Sequence, residues 1–209
     1  MKSGIASIDS ELKEFGFPKR GLVLITGTSE IFQTATAKEI AKNISTHYEK
    51  GIAISTEFSS WTTKEIASAA PNLWHLEVEQ EEVYKAISQI CKSTNRQEYP
   101  LVFIDRILNT GSLLATGGIR KLLEDTSGEL TIVNCVNQNK KLAFDLEAIL
   151  ASKAIMTLKI QEKVNGNSSS ILLSILGPYM IQIAEKYNVA NGKSRTVQKE
   201  EAVIDRDKL

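Results

Sequence analysis

The sequence is poor in several features that mark whole classes of protein. Its 209 residues include two cysteines, Cys91 and Cys135, and both fall within apolar runs. We therefore predict buried reduced thiols and exclude a disulfide framework. The 25 basic and 25 acidic residues balance to a formal charge of zero. Without a net field to attract a polyanion, any nucleic-acid binding would need a local basic patch.

Long hydrophobic runs are also missing. No apolar run approaches the roughly 20 residues that span a membrane, and residues 1–5 carry no apolar signal region. We therefore expect a cytoplasmic protein without membrane contact. The two histidines, His47 and His75, lie far apart and lack companions at ligand spacing, so we expect no metal site.

What the sequence does contain is typical of one α/β domain. Apolar residues make up 42% of the chain and charged residues 24%, which are ordinary globular values. Strand patterns alternate with helix patterns, and this order predicts a mostly parallel central sheet with helices on both faces. The predicted parallel strands cover residues 22–26, 51–56, 73–78, 101–105 and 130–136, and the predicted helices cover 3–12, 34–48, 61–70, 83–91, 112–125 and 142–150.

The C-terminal part of the chain follows a different pattern. Turn residues at 165–167 and 177–178 separate apolar runs at 154–160, 171–176 and 179–184, and such hairpin signals predict antiparallel strands. From residue 185 the chain becomes polar and mixed in charge. We therefore predict a single core domain over residues 1–184 and a flexible tail over residues 185–209.

Residues 27–34 lie between the first predicted strand and the helix that follows it, and they have the outline of a phosphate-binding loop. In the motif G-x-x-x-x-G-K-[ST], the second glycine lets the backbone curl around phosphates and the lysine supplies a cation. Gly27 and Thr34 match the two ends of this motif. Phe32 stands at the second glycine, and Gln33 stands at the lysine.

The order of these parts resembles the RecA/RadA/KaiC family of ATPases. The loop outline follows the first strand, Glu57 closes the second strand, Asp105 closes the fourth, and hairpins end the domain. Residues 3–12 and Gly21 are similar to the lead-in of KaiC-like and RadA-like domains. The resemblance covers residues 3–184 and implies a RecA-like P-loop fold.

The resemblance also implies roles for single residues. Gly27 and Thr34 match the phosphate-cradling backbone and the hydroxyl that ligates Mg²⁺ in working members. Asp105 matches the Walker B acid, and Glu57 matches the glutamate that activates water. Both acids could instead have a purely structural role. Glu57 could cap the following helix, and Asp105 could simply end a strand.

Three side chains oppose a phosphate in the Walker A-like loop. Replacing the lysine by Gln33 removes an attraction of about 4 kcal/mol per charge pair at ~4 Å and an effective dielectric of ~20. Phe32 places a ring where the backbone needs glycine, and Glu30 adds a negative charge. We therefore predict a degenerate loop and no bound cofactor. The expected function is that of a non-catalytic paralogue in recombination or repair, forming homo- or hetero-oligomers with RecA-like proteins.

Two other functions remain open on the sequence alone. Lys38 lies one helical turn after Thr34, and its ammonium could reach back toward a phosphate, which would allow weak binding or slow hydrolysis of ATP with Mg. Lys140 and Lys141 occupy the region where recombinases carry a DNA-contacting loop, which suggests a DNA- or RNA-binding module. A solvated loop is the commoner explanation for two such lysines.

Overall fold

The computed structural model shows one large sheet with helices packed on it. It describes residues 1–13, 16–56, 62–79, 82–83, 85–86, 89, 101–108, 130–136, 150–165, 168–176, 181–190 and 193–203. The helices are α1 Ala6–Leu12, α2 Glu30–Ser45 and α3 Thr63–Ala69. The strands are β1 Gly21–Gly27, β2 Gly51–Thr56, β3 Leu73–Val78, β4 Leu101–Leu108, β5 Leu130–Val136, β6 Met156–Asn165, β7 Ser168–Leu176, β8 Ile181–Ala190 and β9 Lys193–Val203.

The nine strands follow the order β3-β2-β4-β5-β1-β6-β7-β8-β9. Every pairing from β3 through β6 is parallel, and every pairing from β6 through β9 is antiparallel. This arrangement confirms the α/β fold that alternating strand and helix patterns predict, including the antiparallel end. Strand β1 lies between β5 and β6 and is the fifth of the nine strands, so its carboxyl end is at the middle of the whole sheet.

The core lies on both faces of the sheet, as the continuous apolar run of β1 predicts for a central strand. Val23 and Ile25 pack with α1 and α2 on one face, while Leu22 and Leu24 pack into a second cluster on the other face. All four side chains are fully buried. The first face also carries the side chains that form the candidate site.

The lead-in segment before β1 is held by hydrogen bonds to one carboxylate. Asp9 accepts from the Ser3 backbone N at 2.6 Å, the Ser3 Oγ at 2.8 Å and the Gly4 N at 3.2 Å. Gly4 has a φ of +84°, and a Cβ there would lie 2.0 Å from Asn43 Nδ2 on α2. The aspartate and glycine of the lead-in are therefore explained by local structure, because Asp9 ties the N-terminal segment to α1 and Gly4 lets that segment approach α2.

Several elements differ from the sequence-based expectation or lie outside the described residues. Strand β4 extends three residues past Asp105, and β8 and β9 form strands across 185–190 and 193–203, where we expected a polar tail. Flexibility of that region and the boundary at residue 184 stay predictions. The predicted helix at 112–125, residues 142–149 of the predicted helix at 142–150, and Cys91 lie outside the described residues. Cys135 is a buried free thiol.

Candidate functional site

The connection from β1 to α2 is much shorter than the predicted loop. Helix α2 begins at Glu30, not at Thr34, so Thr28 and Ser29 alone separate it from β1. The Gln33 N–H donates to the Ser29 carbonyl at 2.9 Å, which is the first hydrogen bond of the helix. The expected helix start was wrong because it followed the phosphate-loop motif, in which a second glycine keeps the chain curled. Phe32 at that position allows the chain to be helical.

Gln33 is 1% exposed, and its side chain reaches into the sheet. Its Nε2 donates to Asn134 Oδ1 at 2.7 Å and to the Cys135 carbonyl at 2.7 Å, and it lies 3.4 Å from the Ile25 carbonyl. A buried amide that meets two strong acceptors is satisfied by the protein itself. At the motif's lysine position, this chain therefore carries a neutral donor that binds the carboxyl end of β5.

The hydrogen bonds of Gln33 continue through Asn134 to Asp105, the residue that matches the Walker B acid. Asn134 Nδ2 donates to Asp105 Oδ1 at 2.9 Å. Asn134 is 0% exposed and Asp105 is 2% exposed, so both groups depend on protein partners for their hydrogen bonds. The structure thus brings Gln33 and Asp105 together through Asn134, a residue that we had not selected. The signal for it was present, since Asn134 is the one amide in the mostly apolar, wholly buried strand β5.

An ion pair covers the first turn of α2. Arg106 has a φ of +62° at a break in the β4–β5 register, which is the geometry of a β-bulge. Its guanidinium contacts Glu30 Oε1. The Glu30 carboxylate occupies the end of α2 that would attract an anion, and its charge is offset by Arg106. The cation beside the start of α2 is therefore engaged with a side chain of the protein.

Gly27 matches the first glycine of the motif, but its surroundings explain it in another way. It pairs with Ile160 of β6, and a Cβ on Gly27 would lie 1.9 Å from the Ile160 carbonyl oxygen. The next residue, Thr28, donates its backbone N–H to the same oxygen at 2.9 Å. The close approach of β1 and β6 therefore requires glycine here.

Two other residues that we selected from the sequence, Thr34 and Lys38, lie on α2. Thr34 is buried within the second turn of α2. Lys38 Nζ lies 3.8 Å from Glu65 Oε1 on α3. Glu57, Lys140 and Lys141 lie outside the described residues, so their roles stay predictions.

In the part of the chain that the structure describes, no group of three His, Cys, Asp or Glu side chains could hold a metal, and no helix is long and apolar enough to cross a bilayer.

The contacts that Glu65 makes with Thr62 and Lys38 have a measurable effect on the pKa of Glu65. Hydrogen bonds from the Thr62 backbone and then from its hydroxyl, followed by the charge of Lys38, lower the pKa of Glu65 below 4.5. A carboxyl with a lowered folded pKa stabilises the fold above its unfolded pKa and loses that contribution as the pH falls through the folded value. We expect Glu65→Gln to reduce the loss of stability below about pH 4.5. Urea unfolding at several acid pH values would measure it.

The matched control for that experiment is Glu49→Gln. Glu49 is an exposed glutamate beyond the end of α2. Equal pH profiles for the two variants would contradict a specific role of the Thr62–Glu65 capping box.

No protein-family model matches the chain, and no curated protein matches it in sequence. Among solved structures, the KaiC-like protein PH0186 from the hyperthermophilic archaeon Pyrococcus horikoshii OT3 is similar, with a TM-score of 0.60 and 18% identity over 95% of this chain and 98% of that chain. The RadB recombinase is similar with a TM-score of 0.62 and 16% identity, over 94% and 99%. The chain has a RecA/RadA/KaiC-like fold.

In this RecA-like fold, β5 separates the strand before the loop from the strand that carries the matched acid. Asn134 lies near the carboxyl end of β5, where it is next to both β1 and β4. The carboxyl ends of parallel strands are where open α/β sheets bind ligands. In this protein, the hydrogen-bonded side chains of Gln33, Asn134 and Asp105 occupy that end of the sheet.

Proposed function

We propose that this chain is a non-catalytic RecA-fold protein with a degenerate Walker A loop. It acts through protein–protein contacts, either as an accessory to recombination or repair or as a subunit of a RecA-like assembly. The fold similarity to a RadB recombinase and a KaiC-like protein supports the choice of pathway and partner class by analogy.

The observation that carries the proposal is the environment of Gln33. A phosphate loop needs free backbone N–H groups and a cation directed at the ligand. The Gln33 N–H closes the first turn of α2, and its side chain donates to Asn134 and Cys135 in the interior. Binding a nucleotide there would require unwinding the start of α2 and breaking buried hydrogen bonds, which costs about 1–3 kcal/mol per group left unsatisfied.

Exposed apolar side chains support the part of the proposal that concerns protein contacts. Ile31 is 80% exposed and Phe32 is 38% exposed in the first turn of α2, and a cavity of about 130 Å³ opens beside Phe32. On β3, Trp74 is 69% exposed. Neighbouring exposed apolar side chains, such as Ile31 and Phe32, are a common mark of protein interaction sites.

The test is nucleotide binding by the purified chain. Isothermal titration with Mg-ATP is expected to show no binding at micromolar strength, because neither the cation nor the backbone cradle is available. Light scattering on the same sample is expected to show an assembly larger than one chain. Micromolar binding of Mg-ATP would contradict the non-catalytic proposal. A strictly monomeric sample would contradict self-assembly and restrict the proposal to a hetero-oligomer.

Two variants sharpen the titration. Gln33→Lys restores the motif's lysine but keeps Phe32 and the early start of α2, so we expect it to remain without binding. Binding by this single variant would contradict the view that the helix start closes the loop. Lys38→Ala tests the alternative enzyme, because ATP hydrolysis that depends on Lys38 would favour a diverged ATPase.

A further inference from the structure

A half-buried histidine lies next to two buried polar residues on the α2 face of the sheet. Ser55 of β2 pairs in register with Asp105 of β4, so their side chains are neighbours on one face. Ser55 Oγ and His75 Nε2 of β3 are 2.5 Å apart. Ser55 and Asp105 are each 2% exposed. A hydroxyl thus lies between an imidazole that solvent can reach and a carboxylate that it cannot.

The serine hydroxyl has a single hydrogen to donate. An unprotonated Nε2 accepts that hydrogen, whereas both nitrogens of an imidazolium are donors. When Nε2 carries a proton, it donates to Ser55 Oγ, and the hydroxyl hydrogen must turn to another acceptor. The neighbouring acceptor across the β2–β4 register is the carboxylate of Asp105.

We propose that His75 is a proton switch: gaining a proton reverses its hydrogen bond with Ser55 and directs the Ser55 hydroxyl at Asp105. The effect reaches further along the sheet. Asp105 accepts from Asn134 at 2.9 Å, and Asn134 accepts from Gln33 at 2.7 Å. A change at the edge strand β3 is therefore transmitted to the start of α2. This inference is independent of whether the chain binds a nucleotide.

Burial and the charges around His75 set the pH range in which the switch works. Burial lowers the pKa of His75 below 6.5, and the carboxylates of Glu77 and Asp105 act in the opposite direction. Strand β2 contributes the neutral Ser55. Helix α3, which packs against β3, carries Lys64 and Glu65, and Glu65 is engaged with Thr62 and Lys38. The histidine therefore changes charge in mildly acidic solution, below pH 6.5.

The experiment is a pH titration followed by NMR, with the exposed His47 as an internal control in every sample. We expect Ser55→Ala to raise the pKa of His75, because the neutral imidazole loses its donor. We expect Asp105→Asn to lower the pKa of His75, because an anion that favours the charged form is removed.

The transmitted effect has its own readout. In the wild-type chain, the side-chain amide signals of Asn134 and Gln33 are expected to shift with the same midpoint as His75, and this shift should be lost in His75→Gln. An unchanged His75 titration in both Ser55→Ala and Asp105→Asn would overturn the switch. Amide signals that do not follow His75 would overturn its transmission. The amide comparison needs neither variant, so it decides the question even if Asp105→Asn fails to fold.

Discussion

Replacing Asn134 by leucine is expected to lower the free energy of unfolding by about 3 kcal/mol or more. Asn134 both accepts from Gln33 Nε2 and donates to Asp105 Oδ1, and all three residues are buried. Leucine has a similar size, so the loss arises mainly from the two hydrogen bonds that Gln33 and Asp105 no longer make with residue 134. The hydrogen bond lost by the buried carboxylate is the more costly of the two. Equilibrium unfolding in urea would measure the change.

A double-mutant cycle with Gln33→Leu is the control for this prediction. Once Asn134 is leucine, the Gln33 amide has already lost one of its two acceptors at 2.7 Å, so removing the amide as well should cost less than it does in the wild type. We expect a coupling energy of about 0.5–3 kcal/mol. Additive effects of the two substitutions would show that the contact contributes no stability of its own.

The positions of the strands along the chain could be predicted because burial on both faces leaves a plain signal in the sequence. Strand β1 shows this signal, because the consecutive apolar residues 22–25 are all fully buried and turn residues precede them. The start of α2 could not be predicted in the same way. The phosphate-loop motif suggested Thr34, whereas Ser29 precedes a regular helix that begins at Glu30. Local hydrogen bonding prevailed because Phe32 does not favour the curled backbone that glycine permits.

The candidate site was only half predictable for a different reason. Asp105 was selected because an acid follows an apolar run, and it lies within β4, three residues before that strand ends, beside Asn134 of β5. Its connection to Gln33 passes through Asn134, which lies 101 residues from Gln33 in sequence. The bulge that directs Arg106 toward Glu30 likewise depends on the register of β4 with β5. Single-sequence patterns specify which face a side chain occupies but not which strand becomes its neighbour.

Replacing Gly27 by alanine is expected to lower the free energy of unfolding by about 3 kcal/mol, at the upper end of the usual cost of overpacking. An alanine Cβ would lie 1.9 Å from the Ile160 carbonyl oxygen and 2.8 Å from its carbon. Both atoms belong to the backbone of β6, so no side chain can rotate away to make room. Strands β1 and β6 must separate where the parallel and antiparallel parts of the sheet meet.

Thermal unfolding of Gly27→Ala would measure this effect as a decrease in Tm of roughly 6–12 °C for a chain of this size. The matched control is Thr28→Ala at the next residue. Thr28 Oγ1 accepts one exposed hydrogen bond, from the Glu162 N at 3.3 Å, so we expect a loss of at most about 1 kcal/mol. Equal stability of the two variants would contradict a structural role for Gly27. A large loss confined to Gly27→Ala, in a chain that does not bind Mg-ATP, would show that the glycine serves strand packing and not phosphate binding.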